Sequence, residues 1–169
     1  PIFQSIFLRS ILVAIIFSCL FFFTKSYTVK LNLNDFKLLS LRAIAEVTST
    51  FFFISALFKM PIANVVSIVQ ILPLTVSLAA VIFLQERIGW RRILAIFIGF
   101  IGVLLIVKPG ASDFNYYSTY ALLAVIFVTM REIVTRRLSK EVPSFFVAST
   151  TAVTVFIFSG LGSLTVNWV

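Results

Sequence analysis

The 169-residue chain has no histidine, a single cysteine and few charges: Asp and Glu number 6, Lys and Arg 14, and charged residues make up 12% of the sequence. Without His, and with Cys19 alone, sites built on imidazole or paired thiolate ligands and disulfides within the chain are excluded. A soluble domain dresses its surface with roughly 25% charged residues. A charged share of 12%, beside 60% hydrophobic residues and a mean hydropathy of +1.11, excludes a water-soluble globule. No Gly-Lys-Ser/Thr loop that would cradle a phosphate occurs, so ATP hydrolysis is not expected. The net charge of +8 does not point to nucleic acid either, because the basic residues sit between apolar blocks and not on one patch of a soluble fold.

What is present is apolar sequence in long runs. A helix needs about 20 residues to cross a hydrocarbon core about 30 Å thick, and six stretches qualify: Ile2 to Phe23, Leu38 to Phe58, Ile62 to Leu84, Trp90 to Val107, Tyr116 to Val134, and Ser144 to the end. The third is the cleanest, with nothing charged between Lys59 and Glu86. The fourth is short enough that Arg91 and Arg92 are expected at the headgroups. The first is long, contains Arg9 and lacks a small-residue cleavage site, which argues against a signal peptide. Beginning at Pro1 and ending inside an apolar run, the sequence reads as a fragment at both ends. Backbone in lipid must satisfy its own hydrogen bonds, so each span is a helix or a strand of a closed barrel. The ten-residue alternation of barrel strands is not visible. The expected fold is therefore all-α, a polytopic transmembrane helix bundle of about six helices.

Orientation follows from Lys and Arg in alternate connections. One side collects Lys25, Lys30, Lys37, Arg42, Arg87, Arg91, Arg92, Arg131, Arg136, Arg137 and Lys140; the other keeps Arg9, Lys59 and Lys108. That asymmetry places the richer side in the cytoplasm of a cell whose inner membrane holds the protein.

From Leu41 to Gly110 the pattern becomes specific. Arg42 opens a helix ending in ISALFKMPIANV, then come QILPLTVSLAAVIFLQERIGWRR and LAIFIGFIGVLLIVKPG. With Pro73, Glu86-Arg87, Gly99, Gly102 and Lys108-Pro109-Gly110 in these places, the chain resembles the EamA family of the drug/metabolite transporter superfamily. The resemblance implies ten helices in two inverted five-helix repeats. Residues 1–110 would then supply helices two to five of the first repeat, and 116–169 helices six and seven of the second. A short echo agrees in spacing: Pro1-Ile2-Phe3 with Pro143-Ser144-Phe145, and Ile16 to Leu20 with Ile157 to Leu161.

Polar groups inside a bilayer cost free energy unless they face a partner or a water-filled cavity. Arg42, Glu46, Ser49 and Thr50 share one helical face. They would line a cavity, or Glu46 would form a structural ion pair with Arg42 or Arg9. Asn64, Ser67, Gln70 and Ser77 lie along one side of the third span, where Pro73 cannot donate to the carbonyl of Val69 and should bend the helix. These residues form either a substrate-binding wall or interhelical hydrogen bonds. Ala95, Gly99 and Gly102, and likewise Gly160 and Gly162, read as packing contacts. Phe51, Phe52 and Phe53 are packing residues before they are substrate stackers. Glu86, Arg87, Arg131 and Glu132 are gate or headgroup-anchor candidates.

The best-supported reading is a secondary transporter of a small organic metabolite working by alternating access. The resemblance spans amino acids, nucleosides, S-adenosylmethionine-like solutes and drugs, and its motifs report architecture, not cargo. No cofactor or metal is expected; the partners are a small-molecule substrate and the lipid bilayer. An intramembrane enzyme lacks its nucleophile, base or metal cluster here. A non-transporting scaffold or accessory subunit is the alternative.

Overall fold

In the computed structural model the described residues are 7, 8, 10, 11, 13, 15–17, 19, 32–87, 89–107, 116–139 and 142–164. Those from 7 to 19 are helical. Six helices follow: α1 (Leu33–Lys59), α2 (Ile62–Val69), α3 (Leu72–Leu84), α4 (Trp90–Val107), α5 (Ser118–Arg136) and α6 (Ser144–Leu164). No strand occurs among the described residues. The protein is a helical membrane bundle with several spans.

Four segments are long and apolar enough to cross a bilayer: α1, Ile62–Leu84, α5 and Ser144–Leu161. Helix α4 is 18 residues long, close to the lower limit for a span. Large apolar side chains remain exposed along it, from Ile93 and Leu94 through Phe97, Ile98 and Ile101 to Leu104 and Leu105. Water would not tolerate such a surface on a monomer, whereas lipid favours it.

Local sequence sets the ends. Helix α1 contains neither Gly nor Pro over its 27 residues and starts five positions before the expected Leu38, with Asp35 in its first turn and Lys59 in its last. Both charges suit the helix dipole. At about 40 Å, from 1.5 Å per residue, α1 exceeds the hydrocarbon thickness, which leaves its charged first turn outside. Pro61 then stops the chain and opens α2 with φ −55°.

The expected bend in the third span falls at Gln70 and Ile71, which keep right-handed dihedrals (φ −61°, ψ −12° and φ −70°, ψ −15°) while the regular helical ladder is interrupted. The segment breaks at Gln70 and Ile71 into α2 and α3, because Pro73 falls in the first turn of α3, where its missing N–H is tolerated. Gln85 closes α3 in the left-handed conformation (φ 55°, ψ 31°), and its N–H bonds to the Ala80 carbonyl.

The chain divides into two compact units, Pro1–Val47 with Val134–Val169, and Thr48–Ile133. In the first, Leu39, Val142 and Val147 form a small core with Leu138 and Phe146. Phe7 stacks on Phe156 and Phe17 on Phe145, so the two segments run antiparallel. In the second, Ala56, Met60, Val65, Ile68, Ile71, Ala121 and Val125 make the core. There Thr75 meets Thr129, and Ala79 and Ala80 meet Ile133, so α3 and α5 run parallel. Arg92 reaches Ser77 and Gly99 abuts Leu74, so α4 returns antiparallel to α3. All of these directions suit the alternate threading of six spans.

Candidate functional site

Hydroxyls make up nearly all the buried polar side chains. Buried and half-buried hydroxyls alike bond to the carbonyl one turn back: Ser55 to Phe51, Ser67 to Ala63, Ser77 to Pro73, Thr129 to Val125, Ser149 to Phe145 and Thr151 to Val147. Such back-bonding lets Ser and Thr sit in an apolar helix without an unsatisfied donor.

In the first unit the half-buried Arg42 donates through Nε to the Thr135 hydroxyl at 2.8 Å, and its Nη1 reaches the Thr151 hydroxyl. One guanidinium thus ties α1 to α5 and α6, using the fixed fork of donors that distinguishes Arg from Lys. Glu46 lies one turn further along α1 and is half-buried. Arg9, its other candidate partner, lies outside the described residues. At one end of the same unit, buried Asp35 accepts hydrogen bonds from the Ser139 N–H at 3.1 Å and from its hydroxyl at 2.9 Å. Ser10 and Ser159 pair through their hydroxyls at 3.0 Å.

The remaining candidate residues belong to the second unit. Ser49 and Thr50 are buried, at 3% and 8% exposure. Asn64, Gln70 and Pro73 are exposed, and Ser67 is half-buried with its hydroxyl on Ala63. Burial on α1 and exposure at the α2–α3 break therefore separate two kinds of polar group. Thr75 and Thr129 pair at 2.8 Å across α3 and α5, and Arg92 donates to Ser77 at 2.8 Å. Arg92 thus turns back onto α3, whereas Arg91 lies over the Trp90 ring, 5.8 Å from its centroid.

Glu86 and Arg87 are exposed beyond the end of α3. Arg131 and Glu132 form an ion pair at 2.7 Å, with Arg131 the more covered of the two. Phe52 stacks on Phe127 (5.9 Å, 9°) and meets Tyr120 edge-on, while Phe53 packs on the core. Both act as packing residues. Gly99 is a true contact, since a methyl built there would lie 1.9 Å from Leu74 Cδ1; Gly102 faces open space and Ala95 is exposed. Gly160 abuts the Phe7 ring, and the surroundings of Gly162 lie outside the described residues.

Sequence reasoning missed Asp35, Thr75, Thr129, Thr135, Ser139 and Thr151. Their only signal was a hydroxyl or carboxyl in or beside an apolar run, and each gains its meaning from a distant partner.

Residues 1–108 match the EamA-like transporter family. The chain belongs to this family. The match reaches back well before Leu41, where the recognisable motifs begin, and ends at Lys108, the first residue of the Lys108-Pro109-Gly110 motif. Among similar curated proteins, the S-adenosylmethionine uptake transporter of Rickettsia bellii is 35% identical over 77 residues, covering 46% of this chain and 26% of that protein. The riboflavin transporter of Brucella anthropi is 32% identical over 113 residues, 67% of this chain and 40% of its own length. A riboflavin transporter of Vibrio cholerae is 29% identical over 84 residues, 50% of this chain and 28% of its own. The chain thus spans less than half the length of these relatives. No solved structure matches it.

Proposed function

We propose that the chain forms part of an inner-membrane secondary transporter that moves a small organic metabolite by alternating access. Family membership over residues 1–108 is the observation that carries this reading. The relatives named for uptake of S-adenosylmethionine and transport of riboflavin support a solute of metabolite size. Broken helices with polar side chains at the interruption are a common way to build a solute path, and the Gln70–Ile71 break between α2 and α3 has that form.

On this reading Asn64, Gln70 and the backbone beside Pro73 offer hydrogen bonds to the solute. Ser67 keeps its hydroxyl on its own helix and contributes shape. Ser49 and Thr50 extend the polar face of α1, and Glu46 is the coupling acid. Glu86 with Arg87 and Arg131 with Glu132 guard the end rich in basic residues. The two-repeat organisation, with residues 1–110 in the first repeat and 116–169 in the second, belongs to the same proposal.

The test is uptake by the full-length protein in sealed vesicles, with S-adenosylmethionine, riboflavin and amino acids compared under an imposed proton gradient. Glu46→Gln should abolish gradient-driven uptake while leaving counterflow exchange in place; uptake that still follows the gradient removes Glu46 from coupling. Gln70→Ala should raise KM severalfold with kcat little changed, and an unaltered KM assigns Gln70 to packing. Failure to carry any solute would leave the non-transporting scaffold as the better reading.

A further inference from the structure

A continuous run of aromatic rings in the second unit is not absorbed by the solute path described above. It starts at Tyr116 and Tyr117, just before α5, whose centroids are 6.3 Å apart. Both rings meet Tyr120, at 6.1 and 5.6 Å. Tyr120 contacts Phe52 of α1 at 5.5 Å, and Phe52 stacks on Phe127 at 5.9 Å. Lys59 Nζ sits 6.0 Å from the Tyr117 ring centroid, at the same end. Positions 120 and 127 share one face of α5, two helical turns or about 10 Å apart, and Tyr116 sits in the turn that leads into it.

The inner rings cover one another, but the outermost does not. Tyr116 is 67% exposed, so a ring face stays open. Tyr120 is half-buried, and its hydroxyl has no hydrogen-bond partner among the described residues. Tyrosine at a membrane interface often serves only to anchor a helix at the headgroups. An anchor needs one ring in contact with lipid. It does not need a file of rings that passes inward from Tyr116 through Tyr120 and Phe52 to Phe127.

We infer that this ladder is a recognition site for solutes carrying a planar heteroaromatic ring, stacked on the open face of Tyr116 and hydrogen-bonded by the Tyr120 hydroxyl. The inference rests on the transporter reading and narrows its substrate class. Any planar π-system stacks on such a ring, whereas only one with nitrogen or carbonyl edges also accepts from the hydroxyl.

Riboflavin is a suitable probe because stacking against tyrosine quenches its fluorescence. Titrated with the full-length protein in nanodiscs, riboflavin emission should fall saturably. Tyr116→Leu, which keeps an apolar interface residue but removes the ring, should raise Kd about tenfold, in line with the loss of one stacking partner. Tyr120→Phe should raise it severalfold, and Tyr116→Trp should preserve binding. The thermal midpoint of Tyr116→Leu should match the parent, because the ring is exposed. Adenosine should displace the flavin and leucine should not. An unchanged Kd in Tyr116→Leu, displacement by leucine equal to that by adenosine, or no saturable quenching overturns the proposal. Vesicle uptake reads the transporter assignment separately: binding that follows this pattern without uptake of any solute would sink that assignment and leave the ring site standing.

Discussion

Arg42 shows how a single side chain gains its role from its surroundings. From its position in the sequence it is a basic residue near a helix end, suited to an ion pair with Glu46 one turn away. In the fold its guanidinium joins hydroxyls on two other helices, Thr135 and Thr151. Hydrogen bonds to a charged group contribute about 1.5–3 kcal/mol. Arg42→Met should therefore lower stability by about 2 kcal/mol, read as a drop in thermal midpoint in detergent, and Arg42→Lys should recover part of it because an ammonium reaches only one hydroxyl well. Equal midpoints for all three proteins would show that the bridge contributes nothing. Thr135 and Thr151 were not legible beforehand, since their partner lies 93 and 109 residues away. Glu46, Ser49 and Thr50 were legible, because charge or a hydroxyl group stands out against an apolar run.

The helices among the described residues followed closely from hydropathy, with errors at their ends. Helix α1 begins at Leu33 because Asp35 and Lys37 remain helical outside the hydrocarbon, a continuation that a hydropathy window cannot register. The α2–α3 interruption is where the bend expected from Pro73 falls, with Pro73 in the first turn of α3. Two predictions belong to this scale. Gln85 holds the left-handed position at the end of α3, which costs a residue with Cβ about 1 kcal/mol, so Gln85→Gly should raise the thermal midpoint; a fall would indicate that the amide side chain contributes more than the strain costs. Gly99 receives the Leu74 methyl. Gly99→Leu should destabilise the α3–α4 contact by roughly 1–3 kcal/mol through overpacking, and Leu74→Ala in the same chain should restore most of it. If the second change adds to the damage, the two residues are not packed as described. Gly102→Ala, into open space, should be neutral or slightly stabilising through helix propensity.

For the whole molecule, the decisive question is which ends share a side of the membrane. Asp35 bonds to Ser139, and Lys59 lies over Tyr117, so each pair marks one end of its own unit. With Cys19 replaced by Ser, single cysteines at Lys37 and Arg137 should react with an impermeant maleimide only from the cytoplasmic face, and one at Tyr116 only from the other. Labelling of Lys37→Cys and Arg137→Cys from opposite faces would break the six-span threading. The membrane class, the helical content and the order of spans were determined by the sequence alone, because burial in lipid demands long apolar runs whose backbone bonds close within each segment. Tertiary structure alone decided which hydroxyls meet Arg42, which glycine of the α4 stripe is a contact, and which aromatic rings join into a ladder. Those outcomes depend on how each helix is rotated against its neighbours, and that rotation is set by packing between residues far apart along the chain.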